Sequence, residues 1–375
     1  MLKLFHVFLL VLAIGLVVQS TLWKNIDVLD AEEWMSATVF LYQGDARVFN
    51  KFTYGYPGTP LLLLAGAIHV VLAIPLTTSF TGSLATLISL SAAGIAATCK
   101  LLRPRSLWWI AATGIILCNR LYAAVTPPSA AVAPLIVLIF LLSLYIYEQR
   151  SQSLRVHIML GISLGVGAAL RLDITAAVGF LLLIFLLPSL GGKRIGVIVS
   201  TAFLSFFLLN PFLWFTPLGH LQAIIAKIHY HWADYETERL TIPLFLNRAA
   251  VGLLGFSLAV VLLFLRQRLP LLISRKFLLY TVFVTISISI ILWQASYQVP
   301  WYFYPLIFFW EALLSLFLLD LAALVHYPFL TSLRAQQLLR QSVQISVIIL
   351  LVGAQVLLLL TEHFLPEGIY LLSLP

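Results

Sequence analysis

Long apolar runs decide what this 375-residue chain can fold into. Each approaches the roughly 20 residues that carry a helix across a bilayer. They lie at about 4–22, 107–124, 131–147, 195–209, 248–265, 277–293, 300–325 and 343–361. Residues 60–99 form a longer region with a soft break at Thr77–Ser83, and residues 157–188 form another, interrupted by Arg171-Leu172-Asp173. In hydrocarbon every backbone N–H and C=O must be satisfied within the protein, so such runs become helices. A membrane barrel would instead show alternating strands of about ten residues. With one net crossing for 60–99 and two for 157–188, the expectation is an all-α, polytopic helical membrane protein of about 11 crossings. A hydrophobic fraction of 62%, only 10% charged residues and a mean hydropathy of +1.04 exclude a soluble domain. The first run is expected to be an uncleaved span, because no small-x-small cleavage site follows it and more spans come after.

The net charge of +8 belongs to loops between apolar runs, so it reports orientation and not nucleic acid. Basic clusters fall at Lys100/Arg103/Arg105, Arg150/Arg155, Lys193/Arg194, Arg266/Arg268/Arg275/Lys276 and Arg334/Arg340. With all of them in the cytoplasm, the N-terminus is cytoplasmic. Residues 23–59, Thr126–Ala130, Arg171–Asp173, the loop 210–247 and Gln294–Trp301 then share the outer face. The two cysteines, Cys99 and Cys118, lie in apolar runs and make no disulfide framework.

The segment 23–60 is the first long polar interruption and carries Asp27, Asp30, Glu32, Glu33 and Asp45. Within it Asp30–Leu41 reads as a short amphipathic helix, with Trp34, Ala37, Thr38 and Leu41 at helical spacing. Asp30 followed three residues later by Glu33 fits a capping box, and Gly44 fits a stop. Asp30 therefore has two compatible roles, as an N-cap and as a base. The segment closes with Tyr54-Gly55-Tyr56-Pro57-Gly58-Thr59-Pro60, dense in turn formers, with Pro60 suited to the first turn of the next helix. Tyr54 and Tyr56 suit a membrane interface.

This order of features resembles the glycosyltransferase-C superfamily, in the branch similar to protein O-mannosyltransferases and lipid A aminoarabinose transferases. It comprises one N-terminal span, an acid opening a short amphipathic helix that ends in Gly, and a Tyr-x-Tyr-Pro-Gly-x-Pro segment. Three further pieces agree. Gly165-Val166-Gly167-Ala168-Ala169-Leu170-Arg171-Leu172-Asp173 is similar to the family's Gly/Ala-rich helix ending in Arg-x-Asp. Asn210-Pro211-Phe212-Leu213-Trp214-Phe215-Thr216-Pro217 resembles its Asn-Pro segment before a late outer loop. Gln298-Val299-Pro300-Trp301-Tyr302-Phe303-Tyr304-Pro305 resembles its aromatic–Pro span start. The similarity covers roughly residues 1–325. It implies one integral-membrane domain over 1–375: a core of 1–325 with outer loops 23–59 and 210–247, then a cytoplasmic loop and last span in 326–375. It also implies transfer of a sugar from a polyprenyl-phosphate carrier to a lipid, glycan or protein acceptor at the outer face, in a setting such as the bacterial inner membrane. By position the base is Asp30, with Glu33 and Glu32 next. Two departures stand out. The acid that many members carry in the second outer loop is absent from Thr126-Pro127-Pro128-Ser129, and the usual adjacent acidic pair is split by Ala31. No cofactor is assigned, and a divalent metal is not favoured.

Arg171 and Asp173 interrupt an apolar run, where a mid-bilayer charge costs about 2.5–3.5 kcal/mol, so they should pair, line a cavity or sit at an interface. Arg171 reads either as part of a charge-paired turn or as a grip on a lipid phosphate, whose oxygens match a guanidinium. In the late loop, Lys227, His229, His231 and Arg239 are candidate substrate contacts. His229-x-His231 beside Asp234 is not read as a metal site, because residues two apart on a helix diverge. Tyr302 is a further candidate contact. The aromatic fraction of 13% suits lipid and sugar equally. Gly161-x-x-x-Gly165 allows close helix packing and needs no chemistry. A transporter or lipid flippase is the rival reading. It would want ionisable residues near mid-membrane and paired repeats of broken helices, whereas the acids here are expected in outer loops. A non-catalytic scaffold of the same family is the third.

Overall fold

A computed structural model of the chain describes residues 2–25, 31–43, 58–104, 106–119, 122, 127–149, 153–215, 218, 222, 304–324 and 333–364. Among the described residues there is no strand. The helices are α1 (Leu2–Asn25), α2 (Ala31–Tyr42), α3 (Thr59–Leu72), α4 (Leu76–Leu102), α5 (Trp108–Leu117) and α6 (Pro127–Glu148). They continue as α7 (Leu154–Leu170), α8 (Leu172–Leu190), α9 (Gly192–Leu208), the single turn α10 (Phe212–Phe215), α11 (Tyr304–Leu324) and α12 (Leu333–Phe364). Among the described residues four stretches are long and apolar enough to cross a membrane: Leu4–Trp23, Leu76–Leu102, Pro127–Glu148 and Ala335–Leu357.

Helix boundaries follow local chemistry. The region 60–99 divides at residues 73–75 and not at Thr77–Ser83. Pro75 has no N–H to give and disfavours helical geometry in the residue before it. Ala73 ends α3 at a positive φ of 52°, and His69 Nδ1 lies 2.6 Å from the Ile74 carbonyl it bonds. The run 107–124, expected as a full span, is helical only over Trp108–Leu117. Its end is fastened from outside: Gln19 Nε2 of α1 donates to the Leu117 carbonyl at 2.6 Å, an acceptor that a helix terminus leaves free. The region 157–188 breaks at Arg171, whose φ of −146° and ψ of 101° are extended, so α7 and α8 form the expected pair. The runs 248–265 and 277–293 lie outside the described residues.

α6 is the central element. It opens with Pro127 and Pro128, which a first helical turn tolerates, and is buried along almost its whole length. It packs against α4, α7 and α11; Phe140 meets Phe309 of α11 edge-on with ring centroids 4.9 Å apart. α1 lies along α4, where Gly15 faces Ser89 so closely that a methyl group there would sit 2.9 Å from the serine Cβ. α7 lies on α9 through Gly161 and Gly165, each against the α9 backbone, the close approach that small residues permit.

The bundle has two chemically distinct ends. At one, Arg103 after α4 pairs with Glu148 at the end of α6 at 3.3 Å and lies over the Trp108 ring at the start of α5, 5.4 Å from its centroid. Lys100, in the last turn of α4, and Arg155, in the first turn of α7, belong to this end. The opposite end gathers the C-termini of α7 and α9 with the N-termini of α3, α6 and α8.

Candidate functional site

At that opposite end three separated sequence segments meet. Gly58 precedes α3 with φ 58°, a left-handed conformation that suits glycine. Its N–H donates to the Leu170 carbonyl at 3.3 Å. Thr59 Oγ1 lies 3.0 Å from Asn210 Oδ1 and 3.3 Å from the Ala169 carbonyl; its one proton serves these two acceptors. Asn210, fully buried, also donates Nδ2–H to the Phe206 carbonyl at 2.7 Å, closing the end of α9 before Pro211. Gly58-Thr59, the Gly/Ala-rich helix and Asn210 of the Asn-Pro step are thus joined by hydrogen bonds.

Among the described side chains, Arg171 brings a charge to this junction. It has no exposed surface, and its Nη1–H donates to Ser129 Oγ in the first turn of α6 at 2.9 Å. Its own N–H is held by the Gly167 carbonyl at 2.7 Å. One turn further along α8, the Thr175 hydroxyl is buried with no hydrogen-bond partner among the described residues. A guanidinium, three hydroxyls and an amide therefore lie around the α3, α6 and α8 starts. Helix N-termini add partial positive charge. That chemistry suits an anion.

The amphipathic helix α2 covers this junction. Its first residue is Ala31, next after Asp30, and Trp34, Ala37 and Thr38 are buried while Glu32 and Ser36 face out. Two aromatic side chains seat it on glycines of the α3 segment. A methyl group on Gly58 would lie 2.5 Å from Trp34 Cζ3 and 3.3 Å from Pro128 Cγ. The Tyr42 ring lies flush on Gly66, and its hydroxyl donates to the Leu63 carbonyl at 2.7 Å. Burial holds the Tyr42 phenol above its ordinary pKa.

The sequence candidates fall as follows. Arg171 sits at the junction, buried and bonded to Ser129, and Glu32 is on the exposed face of α2. Glu33 belongs to α2 and Asp173 to α8 by backbone; the positions of their side chains lie outside the description. Asp30, Tyr54, Tyr56, Lys227, His229, His231, Arg239 and Tyr302 lie outside the described residues. Sequence reasoning passed over Thr59, Ser129 and Asn210 as individual residues, although each stands inside or beside a motif it had marked.

It also missed an acid inside the bundle. Glu311 lies in α11, and its Oε2 accepts hydrogen bonds from Asn119 Nδ2 at 2.8 Å and from Gln355 Nε2 of α12 at 3.2 Å. Nearby, Tyr122 lies between Trp23 and Phe308, 5.7 Å from each ring centroid. The expectation that the acids stay in outer loops is therefore corrected: a carboxylate can enter an apolar helix when amide donors await it. Among the described residues no His, Cys, Asp and Glu gather in threes as a metal would require.

No family model matches the sequence, and no curated protein matches it either. Among solved structures, the chain is similar to ArnT from Cupriavidus metallidurans bound to undecaprenyl phosphate. The TM-score is 0.55 and the identity 14%, over 95% of this chain and 77% of that one. At that identity the likeness shows the fold alone, an ArnT-like helical membrane bundle.

Proposed function

We propose that this integral membrane protein transfers a sugar from a polyprenyl-phosphate carrier to an acceptor at the outer face of the membrane. The observation that supports it best is the meeting of residues 58–59, 169–171 and 210 around Arg171, in a bundle that folds like a protein bound to undecaprenyl phosphate. The polar junction is assigned to the donor's phosphate and α2 to the acceptor's proton. In the reaction, an acceptor hydroxyl or amine attacks the anomeric carbon and gives its proton to the Asp30 carboxylate, with Glu33 or Glu32 as the next candidates. The bond from that carbon to the phosphate oxygen breaks, and the electron pair stays on the lipid phosphate. Arg171 stabilises the charge that develops there, and Lys227, His229, His231 and Arg239 of the late loop and Tyr54, Tyr56 and Tyr302 are assigned to the substrates. Arg171 is enclosed, so donor binding must part the side chains that cover it. The acceptor is a lipid, glycan or protein, the site faces away from the cytoplasm, and the setting is a bacterial inner membrane.

The test is transfer of a radiolabelled sugar from undecaprenyl-phosphate-linked donors by the purified full chain, comparing wild type with Asp30→Asn. Loss of transfer in a variant that still inserts and folds supports Asp30 as the base. Full activity in Asp30→Asn moves the role to Glu32 or Glu33. No transfer by wild type from any such donor rejects the reading. Glu311 favours the transporter alternative, since that class keeps acids within its spans. Wild-type lipid translocation that Glu311→Gln abolishes, without any sugar transfer, would establish that alternative instead.

A further inference from the structure

We infer that the Trp34–Gly58 contact is a positioning latch: it sets where the acid-bearing start of α2 stands relative to Arg171. The inference rests on the function proposed above for its effect on turnover, and on geometry alone for its effect on position. In the sequence Trp34 stands four positions after Asp30 and next to Glu33, and in the structure it lies in the first turn of α2, so whatever fixes the Trp34 ring fixes the start of α2. Its ring edge meets Gly58, with space for a hydrogen but not for a methyl group. Gly58 is in turn bonded through its N–H to the Leu170 carbonyl, one residue before Arg171. Pro128, on the same side of Gly58, precedes Ser129, the hydroxyl that receives the Arg171 guanidinium. Ring, glycine and arginine therefore form one continuous mechanical path, every link of it in van der Waals or hydrogen-bond contact. Tyr42 on Gly66 supplies a second seat eight residues along each segment, which stops α2 from pivoting. Trp34 and Gly58 are positioning residues: Gly58 has no side chain to offer the phosphate and its N–H is taken by the Leu170 carbonyl, and Trp34 is assigned to neither the sugar, the phosphate nor the proton.

Position matters because a shift of about 1 Å in a reacting group can cost on the order of a hundredfold in rate. Removing the ring edge (Trp34→Phe) or adding a methyl beneath it (Gly58→Ala) is expected to lower kcat by about tenfold or more. Neither should move the Kd for undecaprenyl phosphate by more than about twofold. The double variant should turn over faster than Gly58→Ala alone, because the added methyl fills the space the lost ring edge leaves and only the strain of a side chain at the positive φ of Gly58 remains. Thermal unfolding of each variant in detergent separates loss of turnover from loss of fold. Unchanged kcat in both single variants overturns the inference. So does a parallel fall of kcat and lipid binding, or a double variant no better than Gly58→Ala alone.

A second arm is independent of activity. Spin labels at Glu32→Cys and Ala176→Cys, both exposed positions on α2 and α8, in a Cys99→Ala/Cys118→Ala background, report the distance between the two helices. The distribution should shift or broaden in each single variant and return toward the parent in the double. An unchanged distribution rejects the latch. If wild type transfers no sugar from any lipid-linked donor, the function reading fails and this arm alone decides the latch.

Discussion

At the scale of single residues, Arg171 shows how a membrane bundle handles a charge it cannot expose. Its backbone leaves the helix, its guanidinium turns to a hydroxyl on another helix, and no part of it meets solvent. Losing a hydrogen bond to a buried charged group costs about 1.5–3 kcal/mol. Ser129→Ala should therefore lower thermal stability in detergent and weaken undecaprenyl phosphate binding, while Ser129→Thr keeps both. Arg171→Lys keeps the charge but loses the planar fork, and sugar transfer should fall by about tenfold or more. Retained transfer in that variant would leave Arg171 a purely structural charge. Tyr42 gives a pH test at the same scale. Its phenol, with a pKa raised in the folded state, bonds Leu63 as the protonated form. Its contribution is full below the ordinary tyrosine value near pH 10 and is lost as pH rises through the raised value. Alkaline loosening of α2, read as protease cleavage near residue 42, should disappear in Tyr42→Phe.

Among elements, the sequence announced some helix ends and hid others. The α7–α8 break was legible because Arg171 and Asp173 are charges inside an apolar run. The start of α2 was legible from Asp30 and the spacing of Trp34, Ala37 and Thr38. The stop of α5 was not, because nothing in residues 107–124 forbids a longer helix; it depends on Gln19, which is 98 positions away in the chain. The α3–α4 division was misplaced because Thr77–Ser83 looks softer than Pro75 does alone, yet a helix carries hydroxyls readily by bonding them to the preceding turn, as Thr81 and Ser83 do. The glycine pair of α7 was read as packing, and it is packing. Gly165→Val should part α7 from α9, since any side chain at Gly165 meets the Ala202 carbonyl and Ser205. The expected outcome is a loss of about 1–3 kcal/mol in unfolding measurements, with a smaller loss for Gly165→Ala.

For the whole molecule, the all-helical polytopic architecture followed from apolar periods alone, whereas the meeting of distant segments did not. No local pattern pairs Thr59 with Asn210 or Asn119 with Glu311. A lone acid in an apolar run also averages away in any hydropathy window, which is why Glu311 escaped notice. Its two amide donors come from the end of α5 and from α12, so it fastens the last helix to the bundle. Both donors use the same carboxylate oxygen, and a glutamine carbonyl can replace it. Glu311→Gln should then keep α12 docked. Glu311→Leu removes the acceptor that the two amides share, a loss of about 0.5–1.5 kcal/mol for each hydrogen bond, and should expose α12 to proteolysis. Equal protection of both variants would remove Glu311 from that role.

The bond between Thr59 and Asn210 spans 151 positions of the chain. A ribosome adding about 5–20 residues per second needs roughly 8–30 s to make the second partner after the first. During that interval the Gly58–Thr59 corner has been made and its future neighbours have not. α1 and α4 can settle against each other early, but the polar junction must wait for α9. Its assembly is therefore a late event of biogenesis, and a chain halted before residue 210 would hold Thr59 without that partner.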